Sequence, residues 1–220
     1  MLNCWICFGV RRMKIIKTLA LGLTVAAATT VTYAADSGFD LKTVNPEADR
    51  LALQKYYNER FPKSELSDYV NGIYAVDAAS REQWVELEEF PPYEFDVEKG
   101  EELFNTPFAN GKGYADCFEN GGIGIRQNYP YWSKEEGTVK TLEQEINECR
   151  ESNGEEPLKW GKGEIAQVSA YMAWTSRDKV FEIEIPEGDK DAMAAYLEGK
   201  KFFYTKRGQL NLSCANCHVQ

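Results

Sequence analysis

Cys214 and Cys217 are separated by Ala215 and Asn216, and His218 follows directly. On a helix, thiols three positions apart lie on neighbouring turns of one face. Each can form a thioether to a haem vinyl group, and the adjacent imidazole can then bind the iron. C-x-x-C-H is the attachment signature of c-type haem. His218 is the only histidine in the chain. Two other chemistries share part of the pattern. Zinc needs a second pair of ligands, and no nearby Cys or His supplies one. A redox dithiol needs a strand-then-helix setting in a βαβ unit, which the sequence around residue 214 does not suggest. One covalent haem c, on Cys214 and Cys217 with His218 as axial ligand, is the expected cofactor.

The elements that must hold this group begin with the two ends. The sequence stops at Gln220, two residues after His218. A haem pocket needs walls and a sixth ligand, so a C-terminally truncated reading frame is expected. At the other end, Arg11, Arg12, Lys14 and Lys17 precede the uncharged run 18–31, and Thr32-Tyr33-Ala34 resembles a small-residue cleavage site. Residues 1–34 therefore read as a signal peptide, with the true start at Met13. The apolar run is short for a membrane span. The expected mature protein is periplasmic, with no membrane association after cleavage. Cys4-Trp5-Ile6-Cys7 lies upstream of the signal and is read as discarded.

Loss of the four basic residues of the signal takes the net charge from −10 to −14. Such an acidic surface argues against nucleic acid as a partner. It suits a soluble exported protein or one that docks a basic partner. Cys117 and Cys149 remain besides the haem pair. In an oxidising compartment they form a natural disulfide, with two free thiols, or Cys149 as a metal thiolate, as the alternatives.

Residues 36–45 read as a flexible lead. Asn45-Pro46-Glu47 starts a helix running to about Phe61, with Leu51, Tyr56 and Tyr57 toward a core. Short helices follow at 65–74 and 78–88, and Phe90-Pro91-Pro92-Tyr93 breaks them. A helix is predicted over Asp96–Asn105, then irregular structure over 106–137. Thr138 to about Asn153 reads as a helix with Val139, Leu142, Ile146 and Cys149 on one face, stopped at Asn153-Gly154. A helix over 162–176, a strand over Val180–Ile185, and a helix from its cap Asp189 to about Phe203 complete the chain.

Two stretches match. Gly100-Glu101-Glu102-Leu103-Phe104 precedes Cys117, and Gly199-Lys200-Lys201-Phe202-Phe203 precedes Cys214. Gly100 lies 17 positions before Cys117, and Gly199 lies 15 before Cys214. In c-type cytochromes such a helix packs closely on another through its glycine, and the haem motif follows. The expected fold is mainly α, with tandem cytochrome c-like domains. The first, within residues 35–186, is degenerate, because Cys117-Phe118-Glu119-Asn120-Gly121 stands where C-x-x-C-H would be. The second, 187–220, is incomplete just after its haem motif.

Gly113 to Gly124, then Gln127-Asn128-Tyr129-Pro130, Leu142 to Arg150, and Arg207-Gly208-Gln209-Leu210-Asn211 before Cys214 resemble the SoxA family, cytochrome subunits of the SoxAX complex of sulfur-oxidising bacteria. The likeness runs from about residue 40 to 220. It implies the single-haem branch and a periplasmic L-cysteine S-thiosulfotransferase. Such enzymes join thiosulfate oxidatively to a cysteine of the carrier SoxYZ and pass electrons through haem to SoxX, the partner in a heterodimer. The family's catalytic cysteine is expected beyond Gln220, so the chain as it stands is expected to be inactive alone. Lys206 and Arg207 are candidates for steering anionic thiosulfate, with a solvated pair as the plain alternative. The competing function is a periplasmic electron-transfer cytochrome c without transferase activity.

Overall fold

The structure, a computed structural model, describes residues 41–219. The signal at 1–34, the start at Met13, the Cys4–Cys7 pair and the first half of the 36–45 lead lie outside the described residues. Helices dominate: α1 (Pro46–Arg60), α2 (Ala78–Leu87), α3 (Glu94–Asn105), α4 (Leu142–Ser152), α5 (Glu164–Trp174), α6 (Lys190–Tyr204) and α7 (Cys214–His218). Strands β1 (Tyr131–Ser133) and β2 (Thr138–Lys140) pair antiparallel, Trp132 opposite Val139. Among the described residues no helix is long and apolar enough to cross a membrane.

The core forms where α3, α4 and α5 meet. Leu142 and Ile146 of α4 pack with Ile165, Val168 and Met172 of α5, all fully buried. Phe104 of α3 joins them, together with Tyr114, Phe118, Ile125 and Tyr129 from the connecting loops. Gly100 makes the α3–α5 contact possible. A Cβ there would stand 2.0 Å from the Gln167 carbonyl oxygen, so only glycine lets these backbones approach. The close approach expected of Gly100 is therefore present. At its counterpart Gly199 on α6, a Cβ would meet nothing within 4 Å beyond its own helix among the described residues.

Three elements differ from expectation. The predicted helix from Thr138 begins only at Leu142. Thr141 caps it: its hydroxyl accepts from the Gln144 amide, and the Gln144 side chain accepts in return from the Thr141 amide at 2.8 Å. That capping box leaves 138–140 free to close a hairpin inside the stretch expected to be irregular. Val139 consequently faces outward, while Leu142, Ile146 and Cys149 are buried as the spacing requires. The alternating segment Val180–Ile185 is not a strand. It finds no sheet edge, and Glu182 makes a single backbone bond, to Gln127. On α1, Leu51 is exposed rather than turned to a core, and no residue of this helix is fully buried.

Polar contacts attach α1 instead. Lys200 of α6 donates to Asp49 at 2.7 Å and to the Thr43 carbonyl, and the Tyr196 hydroxyl donates to the other Asp49 oxygen at 3.0 Å. The Lys200 side chain is 6% exposed and that of Asp49 20%. A buried ammonium needs this counter-charge, because leaving it unpaired would cost far more than the pair gains. After α1 the chain makes two 3-10 turns over Leu66–Ala75, joined at Gly72 (φ 57°).

Candidate functional site

Helix α7 is a single turn, and its residues divide by face. Ala215 and Val219, four apart, are buried against the protein. Cys214, Cys217 and His218 are exposed on the open side, and both thiols are free. This is the 3.6-residue period acting within five residues. The turn is held at its start by the residues between and before the thiols. The Ser213 amide donates to Asn216 Oδ1 at 2.8 Å, and the Ser213 hydroxyl donates to the same oxygen at 3.0 Å. The Asn of Cys-Ala-Asn-Cys-His thus satisfies a helix-start donor that has no partner within the helix.

Helix α6 leads into this site through a tight turn, where Arg207 and Leu212 form an isolated bridge. Arg207 lies 3.3 Å over the Phe202 ring and donates from Nε and Nη2 to the Thr205 carbonyl. It shapes this turn. The His218 ring meets Phe203 of α6, centroids 6.3 Å apart.

Cys217, His218 and Val219 open on a cavity of about 640 Å³. Its other walls come from α1 and the 3-10 turns, chiefly Leu53, Tyr57, Phe61, Leu66, Tyr69 and Ile73. The lining is largely apolar, and its volume falls in the range of roughly 300–1,000 Å³ typical of cofactor sites. Arg60 is the cation on this lining; Lys206 and Arg207 are not part of it. The residues present fit a covalently held haem. Two free thiols one turn apart face outward, an imidazole sits beside them, and an apolar hollow adjoins both.

The stretch around Cys117, matched in the sequence with the Cys214 motif, is built differently. Cys117 is bonded to Cys149 of α4, with S–S 1.97 Å and Cα atoms 5.8 Å apart. Beyond it the backbone turns left-handed at Asn120 (φ 49°), Gly121 (φ 63°) and Gly122 (φ 79°). No right-handed α-helical turn can run through three such residues, so this position does not present side chains as α7 does. Phe118 points into the core.

Sequence reasoning located Cys214, Cys217, His218, Cys117 and Cys149. It missed Tyr57, whose hydroxyl donates to the His218 carbonyl at 2.7 Å across 161 positions. No local pattern signals a contact so distant. It also missed the Ser213–Asn216 cap, which a Ser-x-x-Asn pattern before a short helix could have suggested.

The family model described as SoxA/TsdA, cytochrome c domain, matches residues 99–181, a stretch that contains both disulfide cysteines. The chain is 53% identical over 174 residues to the L-cysteine S-thiosulfotransferase subunit SoxA of Chlorobaculum tepidum, covering 79% of this chain and 60% of that protein. It is 49% identical over 174 residues to the protein of the same name from Allochromatium vinosum, covering 62% of it. Among solved structures, the crystal structure of SoxXA from P. pantotrophus matches with a TM-score of 0.53 and 27% identity, over 64% of this chain and 54% of that one. The chain thus spans about three-fifths of the length of the curated relatives it matches.

Proposed function

We propose that this chain is a SoxA-family protein, on its likeness to the proteins named above, and that it is the haem-bearing subunit of a periplasmic L-cysteine S-thiosulfotransferase. In this reading thiosulfate and a cysteine thiolate of the carrier SoxYZ are joined by a new sulfur–sulfur bond. Two electrons leave the pair, and they pass through SoxX, the partner in a heterodimer. When bound, haem c supplies the one-electron acceptor and donor that this oxidation needs. The observation that carries the reading is the face of α7, on which Cys214, Cys217 and His218 all lie outward, Cys217 and His218 on the lining of an apolar cavity.

The chain's own residues have distinct tasks. Cys214 and Cys217 would tether one haem, and His218 would be its axial ligand. Ala215 and Val219 hold the turn to the protein, and Asn216 with Ser213 fixes its start. Leu53, Phe61, Leu66 and Ile73 would give the bound group one apolar wall. No residue of 41–219 is assigned to sulfur transfer itself. Residues 1–34 would direct export and be removed. Residues 35–186 would form a haem-free cytochrome c-like unit stapled by Cys117–Cys149, and 187–220 would begin the haem-bearing unit.

Expression with SoxX in a host that matures c-type cytochromes tests this. Haem absorbance should travel with the denatured chain and vanish in the Cys214→Ser/Cys217→Ser variant. The loaded heterodimer, built on the full-length subunit, should reduce a cytochrome acceptor when thiosulfate and SoxYZ are both present. A loaded protein that exchanges electrons but ignores thiosulfate would be a plain electron-transfer cytochrome.

A further inference from the structure

We propose that Tyr57 is a positioning residue for the axial histidine, holding the backbone from which the His218 imidazole projects. The inference rests on the reading of His218 as the haem ligand.

A helix of one turn has little of its own to fix its end, because the last carbonyls of a helix have no intrahelical donor. Helix α7 is closed by one bond beyond its last residue, from the Val219 amide to the Ala215 carbonyl at 2.9 Å. The His218 carbonyl receives its donor from outside: the Tyr57 hydroxyl, at 2.7 Å. The histidine's backbone is thereby fixed by its carbonyl, while its ring rests against Phe203 of α6.

Tyr57 is itself held firmly enough to serve this purpose. Its ring stacks on Phe61, centroids 6.4 Å apart and planes 18° apart, and leans on Tyr69 at 5.4 Å. Two turns earlier on the same helix, Asp49 is bound to Lys200 and Tyr196 of α6. Residues eight apart share a helix face and lie about 12 Å apart along the axis. Helix α1 is therefore a strut with two feet, one on α6 and one on α7. The distance between the helix that leads into the haem motif and the ligand at its end is set by a segment far upstream in the sequence.

Tyr57→Phe keeps the ring and removes the donor. Tyr93→Phe is its control, because that phenol donates to Glu88 at 2.7 Å and does not line the cavity. In the haem-free chain, Tyr57→Phe should raise hydrogen exchange at the Val219 amide by about two- to tenfold, the weight of one net hydrogen bond. Exchange at the Met172 amide, in the α3–α5 core, should stay unchanged. In the haem-loaded chain, electron paramagnetic resonance of the oxidised iron should show a broadened or split axial-ligand signal. Tyr93→Phe should match wild type in both measurements. An unchanged Val219 amide and an unchanged iron signal in Tyr57→Phe would overturn the proposal. So would an equal rise at Met172, or the same changes in Tyr93→Phe, since each marks general loosening rather than positioning. If the wild-type chain takes up no covalent haem under maturation, the haem reading falls, and the positioning of an axial ligand falls with it.

Discussion

At the scale of single residues, Gly100 and Glu145 show how little slack the first unit has. A methyl group at residue 100 would collide with the Gln167 backbone, which cannot rotate away as a side chain can. Gly100→Ala should therefore cost about 1–3 kcal/mol, the range for overpacking a well-filled contact, read as a lower urea midpoint with an unchanged slope. Glu145 accepts hydrogen bonds from the phenols of Tyr129 and Tyr131. Burial first, and then these bonds to a carboxylate, push both phenols up, Tyr131 to about 12 and Tyr129 higher still. Unfolded tyrosines titrate near 10. Between about pH 10 and 12 the folded chain keeps protons that the unfolded chain has released. Stability is therefore fully present below about pH 10 and declines as pH rises through that window. The Tyr129→Phe/Tyr131→Phe variant should show a flatter loss, measured as urea midpoints near pH 9 and near pH 11. The shared face of Cys214, Cys217 and His218 was legible because their spacing is local: two thiols and an imidazole within five positions. Glu145 was not, because a carboxylate in an amphipathic helix carries no mark of the phenols it will meet.

At the scale of elements, legibility followed the same division. Helices with apolar spacing and a capping residue stand close to where the sequence places them, α1 from its Asn45 cap and α6 from Asp189. The alternation of Val180–Ile185 misled because it describes side chains only. A strand also needs a neighbour for its amides, and the sequence does not say whether one is available. The hairpin of β1 and β2 escaped notice because three-residue strands are too short for a periodic signal. The Cys117–Cys149 bond ties the left-handed loop to α4 across a separation of 32 residues. On the chain-entropy estimate it is worth about 3–4 kcal/mol. Replacing both cysteines with serine should lower stability by roughly that amount in urea titration. Haem attachment at Cys214 and Cys217 should persist in the same variant, since neither thiol depends on that bond.

At the scale of the whole molecule, the contacts that hold α1 against α6 and α7 join segments far apart in the chain. Asp49 meets Lys200 across 151 positions, and Tyr57 meets His218 across 161. Asp49→Ala would strand a nearly buried ammonium, and the unfolding free energy should fall by about 1–3 kcal/mol. Adding Lys200→Met to that variant should restore part of it, because the stranded charge is then gone. A thermal melt of the single and double variants checks both. Neither partner of such a pair is predictable alone: a Lys within a helix is ordinarily solvated, and only the fold brings Asp49 over it. The same reach has a temporal side. Tyr57 has nothing to hold until α7 is in place, so the wall it belongs to is completed only when these two distant segments meet. Closing so wide a loop is entropically slow. In the haem reading, the thiols of α7 would be offered to a maturation apparatus beside a half-built hollow, when a bulky planar group could still be slipped in from the side.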